Sequence, residues 1–531
     1  MGNGFSGLPR ILLLGFLFAT PLAGQQTTAE RTNYGSTSSH PEVVAFLDSL
    51  QARGAAIRVG ILGTSPQGRA IPYVIASRPL VDGPAEAQRS GKPIVYLQGN
   101  IHAGEIEGKE AAQMLLRDLT LGPLSRLLDS VVLLVVPIYN SDGNDALGPQ
   151  ERNRPAQNGP PQVGRRPNGQ GLDLNRDYVK QEAPETRGAA ELINRWDPDL
   201  FIDLHTTNGS YHGYVLTYSP GLNPNSSPAN DYIQDRFLPE IRNRMRARHK
   251  QEVFPYGNFR NADPDSLKLG WETYDPHPRY GTNWAGLRGR MAILSEAYSH
   301  ADFKTRVQAT YNFVLEILRL MAAERATVKS LNLAATRQRP DSVVIRSVLA
   351  PPTMMDVIAE ITERAGEGSG PFSRRRPTGV FRTIRMPVFD RFASAKKEAL
   401  PAAYLLPPQH AGVVEQLLRQ GIEVRQLMAG WQGPVEAFRV DSLQVLQLFE
   451  GHRSVSVEGS WRPRDVAVTP GWFLVSTDQR LGTFAGFLLE PGSEDGLATW
   501  NFFDRDLRRG QEAPVLRVRT PLPVPARLID R

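Results

Sequence analysis

The sequence predicts an α/β unit followed by a mostly β accessory region, and three observations lead there. Between residues 34 and 325, short apolar runs rich in β-branched residues alternate with longer segments whose apolar residues recur every three or four positions. Beyond about residue 325 this alternation gives way to short strand-like runs separated by turn residues. At 531 residues the chain exceeds what one ordinary core fills, which favours a main unit with an appendage.

The first element is a leader. Arg10, an apolar run over 11–22 and the small residues Ala23 and Gly24 stand in the order of a secretory signal peptide, so residues 1–24 predict an exported protein, periplasmic or extracellular. The apolar run of about 12 residues falls short of the roughly 20 that a bilayer span requires, so no stable membrane span is expected after signal removal. The chain contains no cysteine, which excludes both a lipoprotein anchor and disulfide support.

Buried strands follow at 94–98, 131–136, 200–204 and 291–294, each a mostly continuous apolar run. Amphipathic spacing predicts helices at 110–119, 184–195, 231–248 and 303–323. A linker is expected over 326–350 and a β-rich accessory region over 351–531. Within the latter, 412–421 reads as a helix, and 422–427, 471–475 and 484–489 read as strands. The formal charge of +6 is scattered, with only short clusters such as Arg165-Arg166 and Arg374 to Arg376. Such clusters read as solvated loops, and nucleic acid is excluded as a partner.

Chemistry concentrates after the first buried strand, where the chain reads Gly99-Asn-Ile-His102-Ala-Gly-Glu105. A histidine and a glutamate three apart, on a turn entering a helix, project to one side and can share an ion. Roughly 100 residues later, His205 closes the run Leu200-Phe-Ile-Asp-Leu. Two imidazoles and a carboxylate form a His₂Glu set that suits one Zn²⁺ and leaves a coordination position open. Both histidines follow strands, at the carboxyl ends where open α/β sheets collect ligands. Glu107, Glu110 and His212 read instead as helix-surface charges or pocket wall. Ligand histidines give their second N–H to a carboxylate or carbonyl, and Asp173 is the candidate for orienting His102.

These motifs resemble those of the zinc metallocarboxypeptidases, the family of the digestive carboxypeptidases, over most of residues 34–325. Gly63-Thr-Ser-Pro-Gln-Gly-Arg69 is similar to the family's entry segment and Asn140-Ser-Asp-Gly143 to its Asn-Pro-Asp-Gly turn. His102-x-x-Glu105, Asp173-Leu-Asn175-Arg176 and Ser295-Glu296 follow in the family's order. The resemblance implies a mixed, mostly parallel sheet of about eight strands flanked by helices. It also implies Glu296 as the base that activates water, and Asn175 with Arg176 as the site for a terminal carboxylate, a role that suits a planar guanidinium. Arg154, with Arg152 as alternative, matches the arginine that stabilises the oxyanion. Tyr280, with Tyr274 as alternative, matches the tyrosine that closes over substrate.

The expected activity is zinc-dependent hydrolysis of a peptide or protein substrate, releasing C-terminal residues. The alternatives are a zinc amidase or deacylase acting on cell-wall peptides or N-acyl amino acids, and a secreted binding protein without turnover. In the accessory region, the acidic turn 490–496 and the aromatics that follow it offer a polymer-binding surface, a restriction of the site's mouth, a calcium site or ordinary core packing.

Overall fold

The apolar runs of the first 300 residues assemble into an eight-stranded sheet. Its strands are β1 (Ile57–Thr64), β2 (Ala70–Ala76), β3 (Ile94–Gly99), β4 (Val132–Val136), β5 (Leu200–Thr206), β6 (Leu216–Pro220), β7 (Val253–Pro255) and β8 (Met291–Ala297). They lie in the order β1-β2-β4-β3-β5-β8-β6-β7. The central strands β4, β3, β5 and β8 run parallel. β1 and β2 on one side, and β6 beside β8, join antiparallel, so the sheet is mixed. The computed structural model describes residues 25–529 apart from Ser227 and residues 365–374. The expected signal peptide, 1–24, and Arg374 lie outside the described residues.

Every residue of β3, β4, β5 and β8 is buried, as continuous apolar runs require when both faces are covered. One face packs against α1 (His40–Ala52), α2 (Glu107–Thr120) and the 21-residue α4 (Phe303–Ala323) through Leu97, Ile202 and Ile293. The opposite face packs against α3 (Pro184–Trp196) through Tyr96 and Phe201. That second core continues without a break into the accessory region, reaching Tyr404, Val475 and Trp500. The helix expected at 231–248 is broken into short α segments by two π turns.

The expected linker is ordered structure. It forms a helix, α5 (Arg325–Arg337), and a strand, β9 (Ser342–Leu349). The helix buries only a narrow stripe, with Val328 fully inside and Asn332 Nδ2 donating to the Asp199 carbonyl at 3.0 Å. The long hairpin β10 (Thr353–Arg364) and β11 (Arg375–Phe389) comes next, and a seven-stranded sheet carries most of the rest. The segment 412–421 is helical, as α6 (Ala411–Arg419). The run 484–489 is not a strand but part of a helix, α7 (Gly482–Leu489), apolar on nearly every side and buried. A short apolar run carries no periodicity with which to tell the two apart.

Candidate active site

The turn after β3 is built to aim two side chains. Asn100 sits in the left-handed region, at φ 66°, and donates from Nδ2 to the carbonyls of Ala103 and Glu105 at 3.2 and 3.3 Å. The backbone thus closes on itself between His102 and Glu105. Helix α2 then crosses β5 at Gly108, where an added Cβ would lie 2.6 Å from Leu204 Cβ. Only glycine allows that approach, and it brings the turn against the strand that carries His205.

His102, Glu105 and His205 converge, with one ligand atom of each within 4.8 Å of the others. The two Nδ1 atoms face each other at 3.2 Å, and each lies 3.0 to 3.1 Å from a Glu105 oxygen. Their outer nitrogens are already engaged: His102 Nε2 donates to Asp173 at 3.0 Å, and His205 Nε2 lies 3.0 Å from Asp203. Two inward-facing imidazole nitrogens sharing a carboxylate, with both outer nitrogens turned to acids, fit a divalent cation such as zinc. Among the described residues this is the one group of three or more such side chains placed to hold a metal.

The electrostatics follow from the same neighbours. Burial opposes ionisation of Glu105, but the charges of His102 and Arg154 and the hydrogen bonds from both histidines hold its carboxyl well below the usual range. Asp173 is likewise held low, against burial, by His102 and Arg166. Glu296 is the opposite case. Burial pushes its carboxyl up, with His205 opposing and Glu105 adding, and its Oε2 is buried without a hydrogen-bond partner. Its place is fixed by the sheet, since Glu296 and His205 are register partners on β8 and β5.

His102, Glu105, His205 and Glu296 line a cavity of about 90 Å³ shared with Arg166, Asn175, Arg176 and Tyr280. Arg176 lies over the Tyr280 ring, 4.4 Å from its centroid, and donates to the Asn175 carbonyl. Asn175 Oδ1 accepts from Gly281 N at 2.9 Å, which joins the Asn-Arg pair to the tyrosine's loop. Tyr274 and Tyr256 continue the wall, ring against ring, from Tyr280.

Arg154 stands elsewhere. It packs over Gly104, donates to Glu105 Oε1 at 3.0 Å and to the Thr206 and Thr207 carbonyls, and does not line the cavity. Arg152 is exposed. Besides Arg176, the arginine that faces the cavity is Arg166, 3.2 Å from His102 Nδ1 and paired with Asp173 at 2.8 Å. It was read as half of a solvated cluster, because basic loop residues look alike until the chain is folded. Asp203 was also missed, although its signal was present: in Asp-Leu-His, residues two apart on a strand share a face. Tyr256 had no such signal.

Two other expectations need correction. Glu107 and Glu110 are not helix-surface charges: Glu107 is buried against Arg306 at 3.3 Å, and Glu110 accepts from Ser38 N at 2.7 Å. Calcium at 490–496 has no free carboxylates to use. Glu490 accepts from Tyr404 and Arg517, Glu494 from Ser347, and Asp495 from Arg279 and Trp500. Of the readings offered for the aromatics after this turn, ordinary core packing is the one that holds, since Trp500 and Phe503 are 1% and 2% exposed. Through Arg279 the accessory region instead holds the residue next to Tyr280.

Fold and site together define a metallohydrolase whose candidate metal-holding residues sit at the carboxyl ends of parallel strands. Residues 43–316 match the sequence model of the zinc carboxypeptidases, and the chain belongs to that family. Carboxypeptidase 2 of Trichophyton rubrum is 24% identical over 492 residues, covering 86% of this chain and 81% of that protein. Carboxypeptidase D of Mus musculus is 28% identical over 190 residues, 30% of this chain and 14% of that protein. Among solved structures, the carboxypeptidase A of Helicoverpa armigera aligns with a TM-score of 0.41 at 18% identity, covering 57% of this chain and 77% of that one.

Proposed function

We propose that the protein is an exported carboxypeptidase that removes residues from the free C-terminus of peptides. The observation that carries this reading is Arg176, braced by Tyr280 and Asn175 in the same cavity as His102, Glu105, His205 and Glu296. A guanidinium so placed grips a carboxylate by two parallel hydrogen bonds, and the Asn175 amide can add a donor.

Zinc held by His102, Glu105 and His205 would act as a Lewis acid toward the scissile carbonyl and acidify water. The protein's own residues do the rest. Arg176 and Asn175 fix the terminal carboxylate, which positions the last peptide bond. Glu296, with a carboxyl held high by burial, takes a proton from the attacking water and delivers it to the leaving amine nitrogen. Arg166, rather than Arg154, donates to the oxyanion as the carbonyl becomes tetrahedral, since it is the one of the two that faces the cavity. Asp173 and Asp203 orient the two imidazoles.

The test is product analysis by mass spectrometry on a tripeptide with a free C-terminus, its C-terminal amide and an N-acyl amino acid. Loss of one C-terminal residue from the free acid, with the amide cut at least about tenfold more slowly, supports the reading. Cleavage of the acyl bond alone would make the enzyme a deacylase.

A further inference from the structure

Beside the catalytic cavity lies a second one, of about 420 Å³, and Asn208 lines both. Asn175, Arg176 and Tyr280 line only the first. A peptide held by its C-terminus at Arg176 and passing Asn208 therefore enters the second cavity with its upstream residues.

The second cavity is built from several separate segments of the chain. The loop after β5 and the segment after β8 supply Tyr211 and His300, whose rings stack at 4.1 Å and 15°. His300 Nε2 donates to the Gly209 carbonyl at 3.2 Å, which locks the platform in place. Phe259 and Leu267, both buried, add apolar wall. The far side is the accessory hairpin, through Glu360, Thr362 and Arg375.

That hairpin is stitched to the catalytic unit at this spot. Gly213 N donates to Ile358 O at 3.0 Å, Glu360 N to Tyr211 O at 3.3 Å, and Ile358 N to Tyr214 Oη at 2.8 Å. The polar groups of the far wall are satisfied within the protein: Tyr298 Oη donates to Glu360 at 3.3 Å, and Arg375 Nε donates to Thr362 Oγ1 at 2.7 Å. With its charges already partnered, the cavity offers a guest a ring platform and apolar wall beside the neutral polar groups of Gln157, Asn158, Asn208 and Ser210. That suits a flat, uncharged ring better than a charged side chain.

We infer that the second cavity binds an aromatic side chain of the peptide substrate, upstream of the scissile bond, and that the β10–β11 hairpin completes this site. The inference rests on the carboxypeptidase reading and adds a substrate preference that the catalytic cavity does not carry.

The experiment is a set of N-acetylated, C-terminally free alanine peptides in which one phenylalanine is moved upstream from the scissile bond, a residue at a time. For the wild-type enzyme, kcat/KM relative to the all-alanine peptide should rise about tenfold at one position and stay near unity at the others. Tyr211→Ala should flatten that profile. So should Ala156→Trp, which changes an exposed residue of the cavity rim and fills the space without touching the hairpin. If all-alanine and phenylalanine peptides are cut alike at every position, the second cavity is not a substrate site and the carboxypeptidase reading stands. A peak that persists in both variants overturns the assignment in the same way. Hydrolysis of no peptide overturns the carboxypeptidase reading and this inference with it.

Discussion

His205 and Glu296 are register partners on neighbouring parallel strands, so the spacing between a metal-site imidazole and the proposed base is set by the backbone ladder and not by a loop. Adjacent strands lie about 4.8 Å apart, close enough for both side chains to reach one water. Leu294, two residues before Glu296 on the same face, floors the same cavity.

Glu296→Gln keeps shape and register and removes the proton acceptor. We expect kcat to fall by about 10³-fold or more while bound metal is retained, with steady-state kinetics and metal analysis of one preparation as the check. Equal loss of metal and activity would assign Glu296 to the metal shell instead.

Asp203 backs His205 at 3.0 Å from Nε2. Asp203→Asn is expected to weaken metal affinity by about 10- to 100-fold. Competition with a calibrated chelator measures this, and an unchanged affinity would remove Asp203 from the site.

Arg166 and Arg154 should separate cleanly. Arg166→Ala is expected to lower kcat by about 10²-fold, the usual cost of one oxyanion donor, with metal retained. Arg154→Ala removes one charged partner of the buried Glu105, leaving the two histidines, and should weaken metal binding and lower the melting temperature. The opposite assignment would return the oxyanion role to Arg154.

How much of this was legible beforehand depends on the kind of signal each residue leaves. The convergence of His102, Glu105 and His205 was readable because a histidine at the end of an apolar strand is costly to bury unless it has a partner, and His102-x-x-Glu105 confines two donors to one turn. The central strands were readable as uninterrupted apolar runs. Arg166 was not, because an arginine's role depends on which loop folds toward the cavity, and no local pattern encodes that. Helix α7 and helix α5 failed for different reasons: α7 is apolar on nearly every side and shows no stripe, while α5 buries only a narrow one at Val328 and Asn332. The shared core between the catalytic and accessory units was invisible because it is made of residues hundreds of positions apart.

The start of α3 carries a pH dependence of stability away from the metal. Burial pushes Asp177 up to about 6, with Lys180 opposing, and pushes Glu185 up to about 7. Their ordinary values are 3.8 and 4.5, so between about pH 4 and 7 the folded chain holds protons that the unfolded chain has released. The stability these two groups contribute is therefore full below about pH 4 and lost as pH rises to about 7. Urea unfolding of wild type and of Asp177→Asn with Glu185→Gln, across that window, should show the difference between the two proteins shifting in the variant's favour as pH rises. A constant difference would mean that neither group is perturbed.

X-ray absorption at the zinc edge asks whether His102, Glu105 and His205 hold zinc together. With a single equivalent of zinc, the wild-type protein should show two imidazoles and oxygen donors around the ion, and His205→Ala should lose one imidazole and most of the affinity. An unchanged spectrum and affinity in His205→Ala would contradict the account.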